Sequence, residues 1–256
     1  MSRSRKIGRR CLLVVSICIA LGGCAMGGSE HRSSSVVSYL YPNQNQPDTA
    51  RADADPLLPM RIGLAFVPEQ GLSHQALTER DKASLKATVA DYLQQQSFVR
   101  QVTLVPSAYL RPGGSFGNLD QLRKMYDIDI MVLLSYDRAQ FVGAEPASIT
   151  YWTLDGAQLI SGARNDTYTL LDAAMYDIAE RRMLFRAPGS SLIQPQPDNL
   201  TLAEQVRQDS LLGFAQASTD LMSNLRQQLT LFLAQLERSA GHSTTADNPV
   251  SHRFAH

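Results

Sequence analysis

The stretch Met60-Arg-Ile-Gly-Leu-Ala-Phe-Val67, which ends at Pro68, decides the fold class. It is apolar at both odd and even positions, as is typical of a strand that a sheet buries on both faces. Two more stretches of this kind lie at residues 98–105 and at Asp129-Ile-Met-Val-Leu-Leu-Ser135. Helical patterns separate the three, so the sequence predicts a strand-helix-strand-helix-strand unit of an α/β domain.

The two helices of this unit have recognisable beginnings. Thr78 and Asp81 have the spacing of a capping box, and the apolar stripe that follows it is formed by Leu85, Val89, Tyr92 and Leu93. After the loop Arg111-Pro-Gly-Gly-Ser-Phe-Gly117, Asn118 has the side chain of a helix cap, and we predict a short helix from there to Tyr126.

The second half of the domain has a different pattern. Residues 167–187 predict a β-hairpin with its turn at 179–182, followed by a loop at Pro188-Gly189 and at Pro195 and Pro197. An apolar period then predicts one long or two stacked helices over 199–238. Residues 138–165 fit a helix and a strand equally and stay undecided.

Together these elements predict a single α/β domain over residues 60–238. The expected architecture is a three-layer or two-layer sandwich with a hairpin and a long C-terminal helix. We expect residues 239–256 to form a polar disordered tail.

The N-terminus has the pattern of an export signal. Five cations within the first ten residues precede an apolar run of thirteen residues. As a helix that run would span about 20 Å, against the roughly 30 Å of a hydrocarbon core, so we expect residues 1–23 to be removed rather than to anchor the chain.

The end of this run, Leu21-Gly22-Gly23-Cys24, resembles a bacterial lipobox. The resemblance implies that signal peptidase recognises Leu21, Gly22 and Gly23, and that Cys24 receives a diacylglycerol through its thiolate and becomes the new N-terminus. Ala25, in place of Asp, implies an outer-membrane protein that faces the periplasm. Residues 24–59 then form a lipidated flexible tether, in which residues 36–41 are a candidate docking strand.

Composition excludes several classes of protein. Glycine and proline are too few for a collagen or low-complexity chain, and the charge is spread too evenly for a multi-span membrane protein. Of the three cysteines only Cys24 remains after cleavage, so intrachain disulfides, thiol catalysis and thiolate zinc sites are excluded. The 24 basic and 24 acidic residues balance only before cleavage, which leaves an excess of five acids, and we expect no nucleic-acid partner.

The chain resembles the rhombotarget lipoproteins in Leu133-Leu-Ser-Tyr-Asp137, Thr150-Tyr-Trp-Thr153 and Tyr176-Asp-Ile-Ala179, and in the stretch Leu184-Phe-Arg-Ala-Pro-Gly189. Its layout is also similar to periplasmic α/β domains of three kinds: the N-terminal domain of the Tol–Pal propeller protein, the penicillin-binding-protein activators and the curli-secretion lipoproteins. These resemblances imply a scaffolding or partner-activating domain and name no reaction.

Two groups of residues are candidates for an interaction surface. Phe141, Tyr151 and Trp152 fit either a membrane interface or protein hot spot, or ordinary core packing. Arg181 and Arg182, with Arg186 nearby, fit either an anion-binding hairpin tip or a solvated turn.

No catalytic set emerges from the sequence. Asp127 and Asp129 have the spacing of paired carboxylates, but solvated loop acids explain them as well, and the same holds for Asp166, Asp172 and Asp177. The glycine loop at 113–117 lacks a P-loop lysine, and the histidines of the tail have no element to hold a metal ion. We therefore expect no catalytic residues, no metal and no cofactor.

Three functional hypotheses remain. The first is a non-enzymatic outer-membrane lipoprotein that binds or scaffolds another envelope protein. The second is self-assembly of the chain into a ring or export pore, with residues 138–165 as the inserting or interface element. The third, an enzyme of the cell wall or of lipids, rests only on the aspartate pairs.

Overall fold

The computed structural model describes residues 29–33, 35–42, 58–69, 77–141, 147–153, 156–162, 166–194 and 201–246. Within these ranges the chain forms eight strands: β1 Ser29–Ser33, β2 Met60–Phe66, β3 Val99–Leu104, β4 Ile130–Phe141, β5 Ala147–Thr153, β6 Gly156–Gly162, β7 Thr167–Asp177 and β8 Arg182–Ile193. It also forms four α-helices: α1 Val36–Leu40, α2 Glu79–Gln94, α3 Ser115–Tyr126 and α4 Leu202–Ala246.

Five strands form the main sheet in the order β3-β2-β4-β7-β8. The first three are parallel, as expected when a helix connects each to the next, whereas β7 and β8 are antiparallel additions. A sixth strand, β1, pairs with the end of β4 that extends past β2, from Ser33↔Asp137 to Ser29↔Phe141. Because β7 occupies the other side of β4, strand β1 continues the line of β2.

The fold is a three-layer sandwich, so the predicted α/β class is confirmed. Alternate residues of β4 point to opposite faces: Ile130, Val132 and Leu134 pack in one core cluster, and Met131 and Leu133 pack in the other. Helices α2 and α4 cover the first face, and α1 and α3 cover the second. The double-sided burial explains why these strands lack an alternating pattern in the sequence.

Helix α2 begins as predicted. Thr78 is its N-cap, and the Thr78 hydroxyl accepts a hydrogen bond of 3.1 Å from the backbone N–H of Asp81. Leu85, Val89 and Leu93 are buried one turn apart against the sheet. The cap and the stripe therefore fix both where α2 begins and which side it presents to the core.

The tether prediction is wrong for the residues that lie in β1 and α1. Ser35 caps α1 by accepting a hydrogen bond from the backbone N–H of Ser38, and Val36, Tyr39 and Leu40 are each 2% exposed. The segment predicted as a docking strand is thus a buried helix, and the folded domain begins at residue 29 rather than 60. One helical turn is too short for a period to appear in the sequence.

Asn118 has a different role from the one predicted. Helix α3 begins at Ser115, with Gly114 as its N-cap, so Asn118 lies inside the helix and is 3% exposed. Its side-chain oxygen accepts hydrogen bonds from the Tyr39 hydroxyl at 3.0 Å and from the backbone N–H of Arg111 at 2.8 Å. Asn118 therefore ties α1 and the preceding loop to α3.

The predicted hairpin is confirmed, but its second strand is longer than expected. Strand β8 passes through Pro188 and Gly189, where we predicted a loop. Proline is tolerated at this position because β8 is the last strand of the sheet. The backbone nitrogen of Pro188, which carries no hydrogen, points away from the sheet, where no neighbouring strand needs a donor. A Cβ atom on Gly189 would lie 2.3 Å from the carbonyl oxygen of Ala217 in α4, so glycine allows the helix to pack closely on the strand.

Side chains cover the outer edges of both terminal strands. At β8, Asp220 accepts a hydrogen bond of 2.9 Å from the backbone N–H of Ser190, and Asn224 donates one of 2.7 Å to the carbonyl of Pro188. At β3, Gln94 accepts one of 2.9 Å from the backbone N–H of Val102. These bonds occupy backbone groups that would otherwise pair with a further strand.

Helix α4 is one helix of 45 residues, about 68 Å long. The choice between one and two helices is thereby settled, and the expected disordered tail is wrong for residues 239–246, which continue the helix. Polar residues extend a helix at little cost once a packed segment has nucleated it. The rest of the predicted tail lies outside the described residues.

The undecided segment 138–165 is mainly extended. Strand β4 continues to Phe141, and β5 and β6 form a separate antiparallel hairpin, from Ala147↔Gly162 to Thr153↔Gly156. The hairpin is inserted between the end of β4 and the start of β7.

Candidate interaction surfaces

A groove runs between α2 and α4 on the outer side of the domain. Its volume is about 430 Å³, and its lining residues come from both helices: Ser84, Leu85, Thr88, Phe214, Ala215, Ser218, Thr219, Met222 and Arg226. Leu85 and Met222 belong to the core, so they form an apolar floor, while the exposed hydroxyls of Thr88 and Thr219 lie along the rim. This combination suits an apolar side chain flanked by hydrogen-bonding groups.

Arg226 lies at the groove with its guanidinium 5.5 Å from the centre of the Tyr92 ring. Stacking of this kind holds a cation in place without neutralising it. Sequence analysis did not identify the groove. The only signal was the row of hydroxyl residues beside the apolar stripe of α4, and the separation of two helices distant in the chain decides whether such a row faces a gap.

The arginines of the β7–β8 turn do not act as one cluster. Arg181 has a left-handed backbone with φ of 52°, and its guanidinium lies 3.6 Å from the Asp120 carboxylate and 6.0 Å from the centre of the Phe116 ring. Arg186 instead binds Asp172 through Nε at 2.8 Å, with both side chains at most 12% exposed. Arg182 begins β8. At this turn the structure therefore favours a structural role for Arg181 and Arg186.

The aromatic candidates are only partly brought together. Phe141 ends β4, opposite Ser29, whereas Tyr151 and Trp152 are neighbours in β5 opposite Gln158 and Ala157. Tyr151 and Trp152 therefore belong to the two-stranded sheet, whereas Phe141 belongs to the main sheet. Neither β5 nor β6 contains a charged residue.

Asp127 and Asp129 bind one and the same arginine. Arg61 donates from Nε and Nη2 to the Asp129 carboxylate, both at 2.7 Å, and from Nη1 to Asp127. Hydrogen bonds from this guanidinium hold the pKa of Asp129 below its ordinary value. The spacing that suggested an acid–base pair thus produces an ion cluster between β2 and the start of β4.

The other aspartates singled out in the sequence are buried. Asp166, Asp172 and Asp177 are each at most 8% exposed, so they are not solvated loop acids. Asp177 accepts a hydrogen bond of 3.0 Å from the backbone N–H of Glu180 and so shapes the β7–β8 turn. Asp172 is the partner of Arg186.

The glycine loop before α3 is a turn. Gly113 has φ of +62°, a backbone conformation that glycine adopts without strain. Gly114 donates its backbone N–H to the carbonyl of Arg111 at 2.8 Å. That bond closes the turn, so this amide does not point at a ligand.

Among the residues that the structure describes, no three His, Cys, Asp or Glu side chains are grouped to hold a metal ion. In the same ranges no helix combines the length and the apolar character needed to cross a bilayer. Leu21, Gly22, Gly23 and Cys24 lie outside these ranges, so the signal and its lipid attachment site stay predictions.

No protein-family model matches the chain, and no curated protein does so either. The predicted membership of the rhombotarget lipoproteins therefore stays a prediction.

Solved structures give distant likenesses. The PelC dodecamer from Paraburkholderia phytofirmans is 12% identical, with a TM-score of 0.29 over 76% of this chain and 96% of that one. A DUF330 protein from Xanthomonas campestris is 11% identical, with a TM-score of 0.31 over 71% and 95%. Lipoprotein GNA1162 from Neisseria meningitidis is 12% identical, with a TM-score of 0.24 over 59% and 94%. Likenesses of this size establish neither a shared activity nor a shared assembly.

Proposed function

We propose that the chain is a lipid-anchored protein of a bacterial outer membrane, and that its α/β domain binds another envelope protein in the periplasm. The basic and apolar N-terminus and the sequence Leu21-Gly22-Gly23-Cys24 support lipidation at Cys24. The resemblance to the rhombotarget lipoproteins supports the same location. The protein acts by binding, without a cofactor or a reaction of its own.

The groove between α2 and α4 is the observation that carries the proposal of a protein partner. Its apolar floor accepts a side chain, and Arg226 supplies one positive charge. The rim hydroxyls of Thr88 and Thr219 donate to carbonyls of their own helices and can still accept hydrogen bonds from a partner. Both walls belong to helices whose buried stripes pack against the same face of the sheet, so the groove is already formed without a partner. A preformed groove of this kind fits a short segment of another protein.

The pairing of the acids supports a non-enzymatic role. A carboxylate that accepts hydrogen bonds from a guanidinium stays ionised, as Asp129 does with Arg61, and is poorly suited to donate a proton near neutral pH. Asp172 is also engaged, because it accepts hydrogen bonds from Arg186 through both of its carboxylate oxygens. The aspartate pair that would support an enzyme is thus already engaged.

Photocrosslinking in intact cells tests the proposal. A benzophenone amino acid replaces Thr88 or Thr219 on the rim of the groove, with the exposed residues Ala87 and Gln227, which do not line the groove, as controls on the same helices. We expect one discrete crosslinked protein from the two rim positions and none from the controls. Equal crosslinking to abundant envelope proteins at all four positions would refute the proposal.

Self-assembly is the second candidate, and the hairpin β5–β6 favours it. The hairpin forms its own two-stranded sheet, and its strands carry no charge that would oppose contact with a neighbouring copy. Leu211 and Leu212 are additional exposed apolar residues on α4, at 48% and 54%. Light scattering of the detergent-extracted protein decides this question, since a monomer at cellular concentration removes the ring or pore.

A further inference from the structure

The first strand of the fold lies close in the chain to the proposed lipid attachment site. Four residues separate Cys24 from Ser29, where β1 begins. Five extended residue steps reach at most about 18 Å, whatever conformation the intervening residues adopt. A flexible tether over residues 24–59, as the sequence suggested, would have allowed the domain to turn freely at roughly 30 Å from the bilayer.

The position at which β1 joins the sheet sets which end of the domain the anchor holds. Ser29 pairs with Phe141, the last residue of β4, and β1 then runs back along β4 to Ser33↔Asp137. On the other side of β4, Gln140 pairs with Thr167, and Thr167 pairs with Ile193. The start of β1, the end of β4, the start of β7 and the end of β8 therefore lie at one end of the sheet.

The opposite end of the sheet cannot be the end that faces the bilayer. Strand β4 has 12 residues and so spans about 36 Å from Phe141 to Ile130. The turn at Arg181 and the ion cluster of Arg61 lie at the Ile130 end, since Asp177 pairs with Ile130 and with Arg182. If the domain stood on that end, Ser29 would lie about 36 Å from the lipid, beyond the reach of a link that is at most about 18 Å long.

We propose that the end of the sheet marked by Ser29, Phe141, Thr167 and Ile193 faces the lipid surface and stays within the reach of the short N-terminal link. This inference rests on the proposed lipidation of Cys24. The hairpin β5–β6 leaves the sheet at this end, between Phe141 and Thr167, and the absence of charge from its strands removes the largest cost of proximity to lipid. The groove between α2 and α4 then lies along the side of a domain held in one orientation.

Two residues of β8 give a matched pair of probes. Leu192 lies opposite Tyr168 near the proposed membrane end, and Met183 lies opposite Tyr176 near the other end, so both point to the same face. Their exposed fractions are 47% and 36%, so replacement by cysteine leaves no buried cavity. They are roughly 28 Å apart along the strand.

The experiment uses the processed full-length protein in vesicles of phosphatidylethanolamine and phosphatidylglycerol that contain an acceptor-labelled lipid. Leu192→Cys or Met183→Cys supplies the only free thiol for a donor dye, because lipidation consumes Cys24 as a thioether. We expect energy transfer to the lipid to be several-fold stronger from Leu192→Cys than from Met183→Cys. An insertion of about twenty Gly and Ser residues after Met26, which spans roughly 25 Å, should bring the two signals close together.

The outcomes separate the inference from the proposal on which it rests. Equal energy transfer from the two positions in the protein with its natural link would overturn the orientation and leave the anchor intact. Labelling of the unsubstituted protein by the maleimide dye, together with an intact mass that lacks a diacylglycerol, would overturn the anchor itself. Both the anchor and the orientation are supported by three results together. The unsubstituted protein takes up no dye, energy transfer is stronger from Leu192→Cys than from Met183→Cys, and the insertion removes this difference.

Discussion

The contact between Gly189 and α4 predicts that alanine at Gly189 lowers the free energy of unfolding, whereas alanine at Gly117 raises it. In Gly189→Ala, the new Cβ would lie 2.3 Å from the carbonyl oxygen of Ala217 and 2.5 Å from the Cβ of Leu221. Both atoms are part of, or attached directly to, the helix backbone, so no side-chain rotation relieves the contact. Helix α4 must move away from β8 by about 1 Å to restore ordinary van der Waals distances of about 3.5 Å or more.

The expected cost follows from overpacking of a core layer. Leu221, Leu225 and Leu229 of α4 are at most 1% exposed beneath the same contact, so a displaced helix weakens all three. Overpacking typically costs about 1–3 kcal/mol, which lowers the melting temperature of a domain of this size by roughly 2–12 °C. The assay is guanidinium denaturation of the mature chain with Cys24→Ser, which makes it soluble without the lipid.

Gly117→Ala is the matched control. Gly117 lies in the first turn of α3, and its nearest neighbour to an added Cβ is the Ser115 hydroxyl at 3.8 Å. Alanine fits there and restricts the unfolded chain, so we expect about 0.5–1 kcal/mol of added stability. An unfolding midpoint for Gly189→Ala equal to that of the parent would refute the argument that glycine sets the distance between strand and helix.

Three further substitutions test contacts that the sequence did not reveal. Asp129→Asn should make the free energy of unfolding depend less on pH in the acid range. Because Arg61 lowers the pKa of Asp129 in the folded protein, the stabilisation is complete above the ordinary pKa of an aspartate and is lost as the pH falls through the lower pKa of the folded state. Urea unfolding midpoints at pH 6 and at pH 3 measure the difference. Asn118→Ala should cost about 1–3 kcal/mol by chemical denaturation because it leaves two donors without their acceptor, and no change would contradict its role in holding α1. Asp172→Ala should cost about 3–5 kcal/mol by the same assay, since Arg186 keeps its charge at 12% exposure; a cost below about 1 kcal/mol would show that this ion pair is dispensable.

The elements that sequence analysis predicted well are those in which one local pattern repeats. Strands β2 and β4 are apolar on both faces, and α2 has both a cap and a stripe, so neighbouring residues alone specify them. The β7–β8 hairpin is similar because its two strands are adjacent in the chain. In each case the burial pattern was already present in the order of the residues.

The elements that it missed depend on partners far away in the chain. Helix α1 has only five residues, and its burial depends on Asn118, which is 79 residues from Tyr39. An asparagine after a glycine loop fits a helix cap and a buried acceptor equally, and only the packed partner distinguishes them. The sequence around Asp129 likewise did not predict its ion pair with Arg61, because the two residues are 68 positions apart in the chain.

The groove was missed for a geometrical reason. Phe214 and Met222 belong to the apolar stripe of α4, which correctly predicted a packed helix. The residues of α4 beside this stripe either touch α2 or are separated from it by a gap. Which of the two occurs depends on the distance between the two helices on the sheet. No local feature of either helix encodes that spacing.

The pairing of β1 with β4 has a consequence for the order in which the chain folds. A loop must close over most of the α/β unit before β1 gains its partner, and the entropy of that closure is not offset until β4 already lies in the sheet. A chain that emerges with its N-terminus first therefore exposes the β1–α1 segment earliest and pairs it late. Until β4 has joined the sheet, Ser29–Ser33 has no partner strand, so the N-terminal part of the fold is completed after segments that follow it in the chain.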